Sequence, residues 1–166
     1  MRIDSKKVYT RAINETDTSN LKEYLEDEFT MRFFDHGVLD EAGILELIKS
    51  KDPVHGIILK ENNKLIGHFV YHNWFMRDTY EIGWVLNKKY QNLGIITELG
   101  EAFIKHAFEV DKAHRIVATC QPENIASKRV CEKLKLRLEG HFKKCIYVER
   151  KNEWWDELFY SLLEED

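Results

Sequence analysis

Residues 80–98 hold the residue types and spacing best suited to chemistry. Tyr80-Glu81-Ile82-Gly83-Trp84-Val85-Leu86 reads as a strand, Asn87-Lys88-Lys89-Tyr90-Gln91-Asn92-Leu93-Gly94 as a loop, and a helix follows directly. A helix N-terminus presents amides without intrahelical acceptors and a partial positive charge, so this junction can hold a phosphate without any basic side chain. Gly94 lets the backbone come close to an anion in a conformation other residues avoid. Thr97 could add a hydroxyl in the first turn, and Glu98 could cap that turn or offset its dipole. On these residues alone the junction reads equally as an ordinary turn glycine between a strand and a helix.

The other reactive residue types group less well. The chain has seven histidines, but no helical HExxH. His68 and His72 fall in a strand-like stretch, which separates them by roughly 13 Å on one face, too far to share a zinc. No metal is expected. Cys120, Cys131 and Cys145 are odd in number and form no C-x-x-C, which suits a reducing compartment.

The elements around the loop follow from periodicity. Residues 8–12 read as a first strand. Residues 16–28 read as a helix, with Leu21, Tyr24 and Leu25 at helical spacing. Asp40 is placed to cap a second helix carrying Ile44, Leu47 and Ile48. Residues 56–60 meet Asn62-Asn63, a turn pair suited to a two-residue hairpin, and residues 64–73 continue as a long strand. Met76-Arg77-Asp78 turns into the strand at 80–86, so the middle of the chain is an antiparallel meander. After Gly94 the period changes: Ile95 or Ile96, Leu99, Phe103 and Ala107 mark an amphipathic helix. Residues 115–120 read as a short buried strand, and Asn124 opens a helix with Ala126, Val130, Cys131 and Leu134. Two strand-like segments, near 138–147 and 154–163, close the chain. Pro53 and Pro122 read as punctuation. This order gives one α+β, mixed-sheet domain over residues 1–166, with the fourth and fifth strands parallel across a helical crossover.

Composition bounds the function. With 43% hydrophobic and 33% charged residues, the 166-residue chain is that of a folded protein able to bury a core. No apolar run approaches the ~20 residues that span a bilayer, and the N-terminus lacks a secretory pattern, so a cytoplasmic protein without membrane association is expected. The net charge of -4 and the short basic groups Lys88-Lys89 and Lys143-Lys144 point away from nucleic acid. The Trp- and Tyr-rich terminal strands could pair with a second copy.

Gln91-Asn92-Leu93-Gly94-Ile95-Ile96-Thr97 resembles the Q/R-x-x-G-x-G/A pyrophosphate loop of the GNAT acetyltransferases. The run from Glu81 to Leu86, then Tyr90, Gly94 and Thr97-Glu98, is similar to the branch containing the ribosomal-protein N-terminal acetyltransferases. Pro122-Glu123-Asn124-Ile125-Ala126-Ser127 resembles that branch's P-x-N-x-x-S helix start. Thr10-Arg11-Ala12, His114-Arg115-Ile116, Leu138-Glu139-Gly140 and the stretch from Trp155 to Tyr160 continue in register, so the resemblance covers nearly the whole chain. Two positions depart: Ile96 stands where the family has Gly or Ala, and Lys135-Leu136 where the branch has Gly-Phe. A β-branched Ile96 narrows the room beside the phosphates.

The resemblance implies a mostly antiparallel sheet of about seven strands with helices on both faces, its fourth and fifth strands splayed around acetyl-CoA as cosubstrate. It places backbone of Val85 and Leu86 on the pantetheine arm, and amides of Gln91, Asn92, Leu93, Gly94, Ile95, Ile96 and Thr97 on the pyrophosphate. Asn124 would touch the arm from the other side and Lys128 a nucleotide phosphate. Acyl transfer to an amine needs a base, oxyanion donors and an acid at sulfur. Glu81 is the candidate base, amides near residues 82–84 the donors, and Ser127 the acid, with Tyr147 and Tyr160 as weaker alternatives. Glu81 can also be read as a strand-end carboxylate paired with a cation, Ser127 as a helix-start serine, and Cys120 as a buried inert thiol. Phe33, Phe34, Trp74, Phe75 and Trp84 could line an acceptor pocket, with Glu153 and Asp156 favouring a cationic acceptor. The implied activity is transfer of acetyl to a primary amine, on a protein N-terminus or a small molecule. A catalytically weak acyl-CoA-binding sensor and an unrelated phosphate-binding domain stay open beside it.

Overall fold

The computed structural model describes residues 1–51 and 54–166. Pro53 therefore lies outside the described residues. The strands are β1 (Val8–Ala12), β2 (Val54–Leu59), β3 (Leu65–Asn73), β4 (Thr79–Leu86), β5 (Arg115–Cys120), β6 (Arg137–Val148) and β7 (Glu153–Leu163). The helices are α1 (Thr18–Leu25), α2 (Glu28–Met31), α3 (Glu41–Lys49), α4 (Ile95–Glu109) and α5 (Ile125–Lys133). One sheet results, in the order β1-β2-β3-β4-β5-β7-β6. Its pairs are antiparallel except β4 with β5, which are parallel and joined through α4. The expected mixed sheet is thus found, with β7 inserted between β5 and β6.

Each face of the sheet is covered. One core cluster packs Ile66, Phe69, Ile82, Leu99, Phe103, Ile116 and Cys131 beneath α4 and α5. The Phe69 and Phe103 rings stack with centroids 4.2 Å apart. The other cluster packs Leu21, Tyr24, Leu25, Ile44, Ile58 and Val85 under α1 and α3. Gly67 permits the close approach of β3 to β4, because a Cβ there would stand 2.3 Å from the Val85 carbonyl oxygen.

Two local expectations are corrected. The helix expected over 16–28 is broken into a 3-10 turn at Glu15–Asp17, then α1 and α2. Asp17 is drawn inward by a two-pronged bond from Arg11 at 2.7 Å on each arm. Asp27 restarts the chain as an N-cap, its carboxylate accepting from the Thr30 amide at 2.8 Å and hydroxyl at 2.7 Å. The β2–β3 turn is longer than two residues. Leu59 donates to the Lys64 carbonyl at 2.8 Å, and Asn63 takes the left-handed conformation at φ 57°. By contrast Asp40 caps α3 as expected, accepting from the Gly43 amide at 2.9 Å. No helix among the described residues is long and apolar enough to cross a membrane. β6 forms one edge of the sheet and leaves Phe142 and Tyr147 exposed.

Two buried histidines link the fold to pH. His68 lies between the sheet and α1, its Nδ1 2.9 Å from the Tyr24 hydroxyl, and burial pushes it down to about 4. His55 packs on Phe103, and burial, aided by the N-terminal charge, lowers it likewise to about 4. Both stay neutral in the fold, whereas an unfolded histidine takes a proton near 6.5. Their contribution is complete above pH 6.5 and is lost as pH falls from there toward 4. The loss is about 2 kcal/mol for each imidazole at pH 5. The carboxyls of Glu81 and Glu157, raised by burial, act in the opposite sense, so a variant comparison isolates the imidazole. Urea unfolding of His55→Phe should lose about 2 kcal/mol less than the parent between pH 7.5 and 5. Parallel losses in the two proteins would show that His55 takes up no proton on unfolding.

Candidate active site

The site begins where β4 and β5 stop pairing. They are joined at Thr79 with Arg115, Tyr80 with Ile116 and Glu81 with Val117, and no further. Beyond that point β4 keeps only β3 and β5 keeps only β7. The facing edges from Ile82 and from Ala118 onward therefore offer backbone donors and acceptors to something other than a strand. A cavity of about 790 Å³ opens there. It is lined by Glu81, Val85, Leu86, Gln91, Asn92, Gly94, Ile95, Ile96, Thr97, Asn124 and Ser127 among others. Eleven of the thirteen residues singled out for the site thus meet in one cavity.

The α4 end of the cavity fits an anion. Gly94 has φ 75°, left-handed, and apart from its chain neighbours no heavy atom lies within 4 Å of where its Cβ would stand. The first intrahelical bond runs from the Glu98 amide to the Gly94 carbonyl at 3.0 Å. The amides of Ile95, Ile96 and Thr97 consequently lack intrahelical acceptors. Ile96 is only 7% exposed and belongs to the core under the sheet with Leu99 and Phe103, so most of its side chain is spent on packing. Glu98 neither caps the helix nor faces the cavity: its carboxylate accepts from the Lys6 amide and ties down the N-terminal segment. Leu93 and Lys128 are not part of the lining. Leu93 is exposed, its carbonyl accepting from Lys7 at 3.0 Å, and the Lys128 ammonium lies 3.5 Å from the Pro122 carbonyl. Gln91 turns its amide to the Leu86 carbonyl at 3.0 Å, so it braces the loop and occupies a group expected to face the pantetheine.

Glu81 stands at the last position where β4 pairs with β5, and it lines the cavity. Its carboxylate is 3.3 Å from Nε2 of His72, which sits opposite it on β3. Burial raises the Glu81 carboxyl above the usual carboxylate range, with His72 pulling the other way. A carboxylate so placed holds a proton more readily than one in water, as a base working near neutral pH requires. Across the cavity, the Asn124 side chain caps α5 by accepting from the Ser127 amide at 3.2 Å, and Ser127 lines the opening. Cys120 also lines the cavity but is nearly sealed, and its thiol leans on Cys131.

The far end is closed by Thr30 of α2 and by residues 32–35, which follow it. Phe33, Phe34 and Trp84 line it, whereas Trp74 and Phe75 do not. Trp74 packs between Phe75 and Phe159, and Phe75 points into solvent. Arg150, in the turn between β6 and β7, pins this wall. Its guanidinium donates to the carbonyls of Asp35 at 3.0 Å, Phe34 at 3.0 Å and Arg32 at 3.3 Å.

The carboxylates expected to favour a cation lie elsewhere. Glu153 pairs with Lys151 and the Trp155 ring nitrogen. Asp156 accepts from the Lys144 amide, Lys143 and His141, and is pulled to about 2. It organises the irregular stretch of β6 instead. Tyr160 is buried and Tyr147 bonds Asn152, and neither reaches the cavity. Besides Glu81 and Asp35, the acid that lines it is Glu157, with Thr119 beside it. Strand alternation along β7 separates Glu157 from Asp156 but not from Glu153, and nothing local to residue 150 signals the role of Arg150.

Known proteins agree with this geometry. The family description "Acetyltransferase (GNAT) domain" matches residues 7–137. A Bacillus subtilis protein, "Uncharacterized N-acetyltransferase YnaD", is 40% identical over 170 residues, covering 100% of this chain and 99% of that one. The crystal structure of a GNAT-family acetyltransferase from Bacillus anthracis is 42% identical, with a TM-score of 0.94 over 100% of both chains. Mycobacterium smegmatis RimJ, solved in complex with CoA-disulfide, is 19% identical with a TM-score of 0.85, covering 99% of this chain and 88% of that one, a likeness of fold alone. With sheet order, parted strands and sequence in agreement, the chain belongs to the GNAT acetyltransferase family and is an acetyltransferase.

Proposed function

We propose that the protein transfers the acetyl group of acetyl-CoA to a primary amine by direct attack of the amine on the thioester, with Glu81 as base. The observation that carries this reading is the position of Glu81. It closes the short parallel pairing of β4 and β5, half-buried, at the point where the two strands part. The CoA-disulfide bound by RimJ on the same fold supports the cosubstrate.

The residues present suit that cosubstrate. The free amides of Ile95, Ile96 and Thr97, beside the open space at Gly94, would hold its pyrophosphate. The edge of β4 from Ile82 to Val85, left unpaired by β5, would hold its pantetheine arm. When bound, acetyl-CoA supplies an activated acyl carbon and a thiol leaving group. Glu81 takes the proton that the amine nitrogen sheds as its bond to carbon forms. Backbone amides of residues 82–84 on the open edge stabilise the oxyanion. The Ser127 hydroxyl gives a proton to sulfur as the carbon–sulfur bond breaks.

Calorimetry tests the cosubstrate first. Acetyl-CoA and CoA should bind one site with comparable affinity and ATP much more weakly; a folded sample that binds neither CoA nor acetyl-CoA would overturn the reading. Thiol release with amines then separates an enzyme from a binding module. At Gly94, Asp and Asn have similar shape and both tolerate φ above zero, so they isolate charge. Gly94→Asp should weaken acetyl-CoA binding at least about tenfold more than Gly94→Asn. Equal affinities would displace the phosphate from this loop. Glu81→Gln should cut turnover about a hundredfold or more while acetyl-CoA affinity holds. In the parent, kcat should rise with pH through the raised Glu81 carboxyl, because the deprotonated form is the base. The acid limb should vanish in the variant, and a limb that persists there would assign the base elsewhere.

A further inference from the structure

β7 brings a second carboxylate to the acceptor end of the cavity. In the β5–β7 ladder Val117 pairs with Ser161 and Thr119 with Phe159. Alternation then sets Glu157, Phe159 and Ser161 on the same face as Val117 and Thr119. The parallel pair of Glu81 with Val117 sets Glu81 on that face as well. Two carboxylates from strands on either side of β5 therefore share one face, and both line the cavity.

They are short of positive charge. Glu81 has His72, but Glu157 makes no ion pair among the described residues. Arg32, a guanidinium in the cavity lining, is folded back on its own segment. Its Cζ lies 3.8 Å over the Phe29 ring and 4.5 Å over the Phe33 ring, and it donates to the Phe29 carbonyl. Arg129 and Lys133 lie on α5, on the other side of the opening. Burial raises the Glu157 carboxyl, the Thr119 hydroxyl offsets part of this, and the charge of Glu81 adds to it. A half-buried pair of acids with one weak partner is unfavourable unless a cation completes it.

We propose that Glu157 is a specificity-determining residue: with Glu81 it receives the ammonium of the acceptor, selecting amines with no carboxylate close to the nitrogen. This rests on the acetyl-transfer reading above. Glu157 holds the arriving ammonium by charge; one proton passes to solvent before attack, Glu81 takes the second as the carbon–nitrogen bond forms, and Phe33, Phe34 and Trp84 cover the attached carbon chain. Alkyl diamines and free peptide N-termini share this chemistry; short amino acids, whose carboxylate would enter the same acidic pocket, do not.

The test compares four acceptors in the full protein: 1,4-diaminobutane, butylamine, 4-aminobutanoate and alanyl-glycine amide. The diamine or the peptide amide should exceed 4-aminobutanoate in kcat/KM by about tenfold or more, and whichever of the two is faster identifies a small-molecule or a protein acceptor. Glu157→Gln should shrink that ratio to within about threefold, mainly through KM. Calorimetry of 1,4-diaminobutane into CoA-saturated protein should show binding in the parent and about tenfold weaker binding in the variant, with acetyl-CoA affinity and melting temperature retained. An unchanged ratio in folded Glu157→Gln would overturn the proposal and leave acetyl transfer standing. So would a parent that favours 4-aminobutanoate, or one that binds acetyl-CoA but acetylates none of the four. Absence of acetyl-CoA binding in the parent would overturn both.

Discussion

The short pairing of β4 with β5 governs this molecule. A parallel pair that ran the length of both strands would use up every facing amide and carbonyl and leave a continuous sheet. Here it stops after Glu81 and Val117. Each strand keeps a partner on its outer side, so the sheet remains whole while its centre opens. The wedge receives the start of α4 on one flank and of α5 on the other. Backbone groups that would ordinarily be satisfied within the sheet become the lining of a cleft.

The cleft is electrically asymmetric, and the asymmetry comes from different sources at its two ends. At the α4 end the positive character is backbone: unpaired amides and the aligned peptide dipoles, with Gly94 clearing the approach. At the far end the negative character is side chain: Glu81 and Glu157, half-withdrawn from water. Neither end relies on flexible surface charges. Lys128, the one lysine expected at the phosphates, is turned to the Pro122 carbonyl instead. The far wall is held by Arg150 through three carbonyls, a geometry that suits the planar fork of a guanidinium.

What could be read from the sequence was what is written locally. Gly94 between a strand and an amphipathic run announced the helix start, and Asn124 and Asp40 announced their caps because capping is a matter of a few neighbouring residues. The meander followed from alternation and turn residues. Errors arose where a long-range contact overrode a local pattern. The helical spacing of Leu21, Tyr24 and Leu25 continues past Glu26, but Asp27 caps a new helix there. Glu153, Asp156 and Glu157 are close in sequence, and only the insertion of β7 beside β5, with the irregular pairing to β6, decides which of them meets the cavity. Arg150 acts on residues more than a hundred positions away, which no periodicity could reveal.

The strand order also bears on how the chain is made. β7 follows β6 along the chain but lies between β5 and β6 rather than at an edge. Until it leaves the ribosome, β5 has a partner only through the three positions shared with β4, and β6 has none. The meander β1–β4 and the helices on it can assemble early, from contacts close in sequence. The half built on β5, β6 and β7 cannot. A chain in synthesis therefore carries Gly94 and the start of α4 well before it carries the strand that joins β5 to β6.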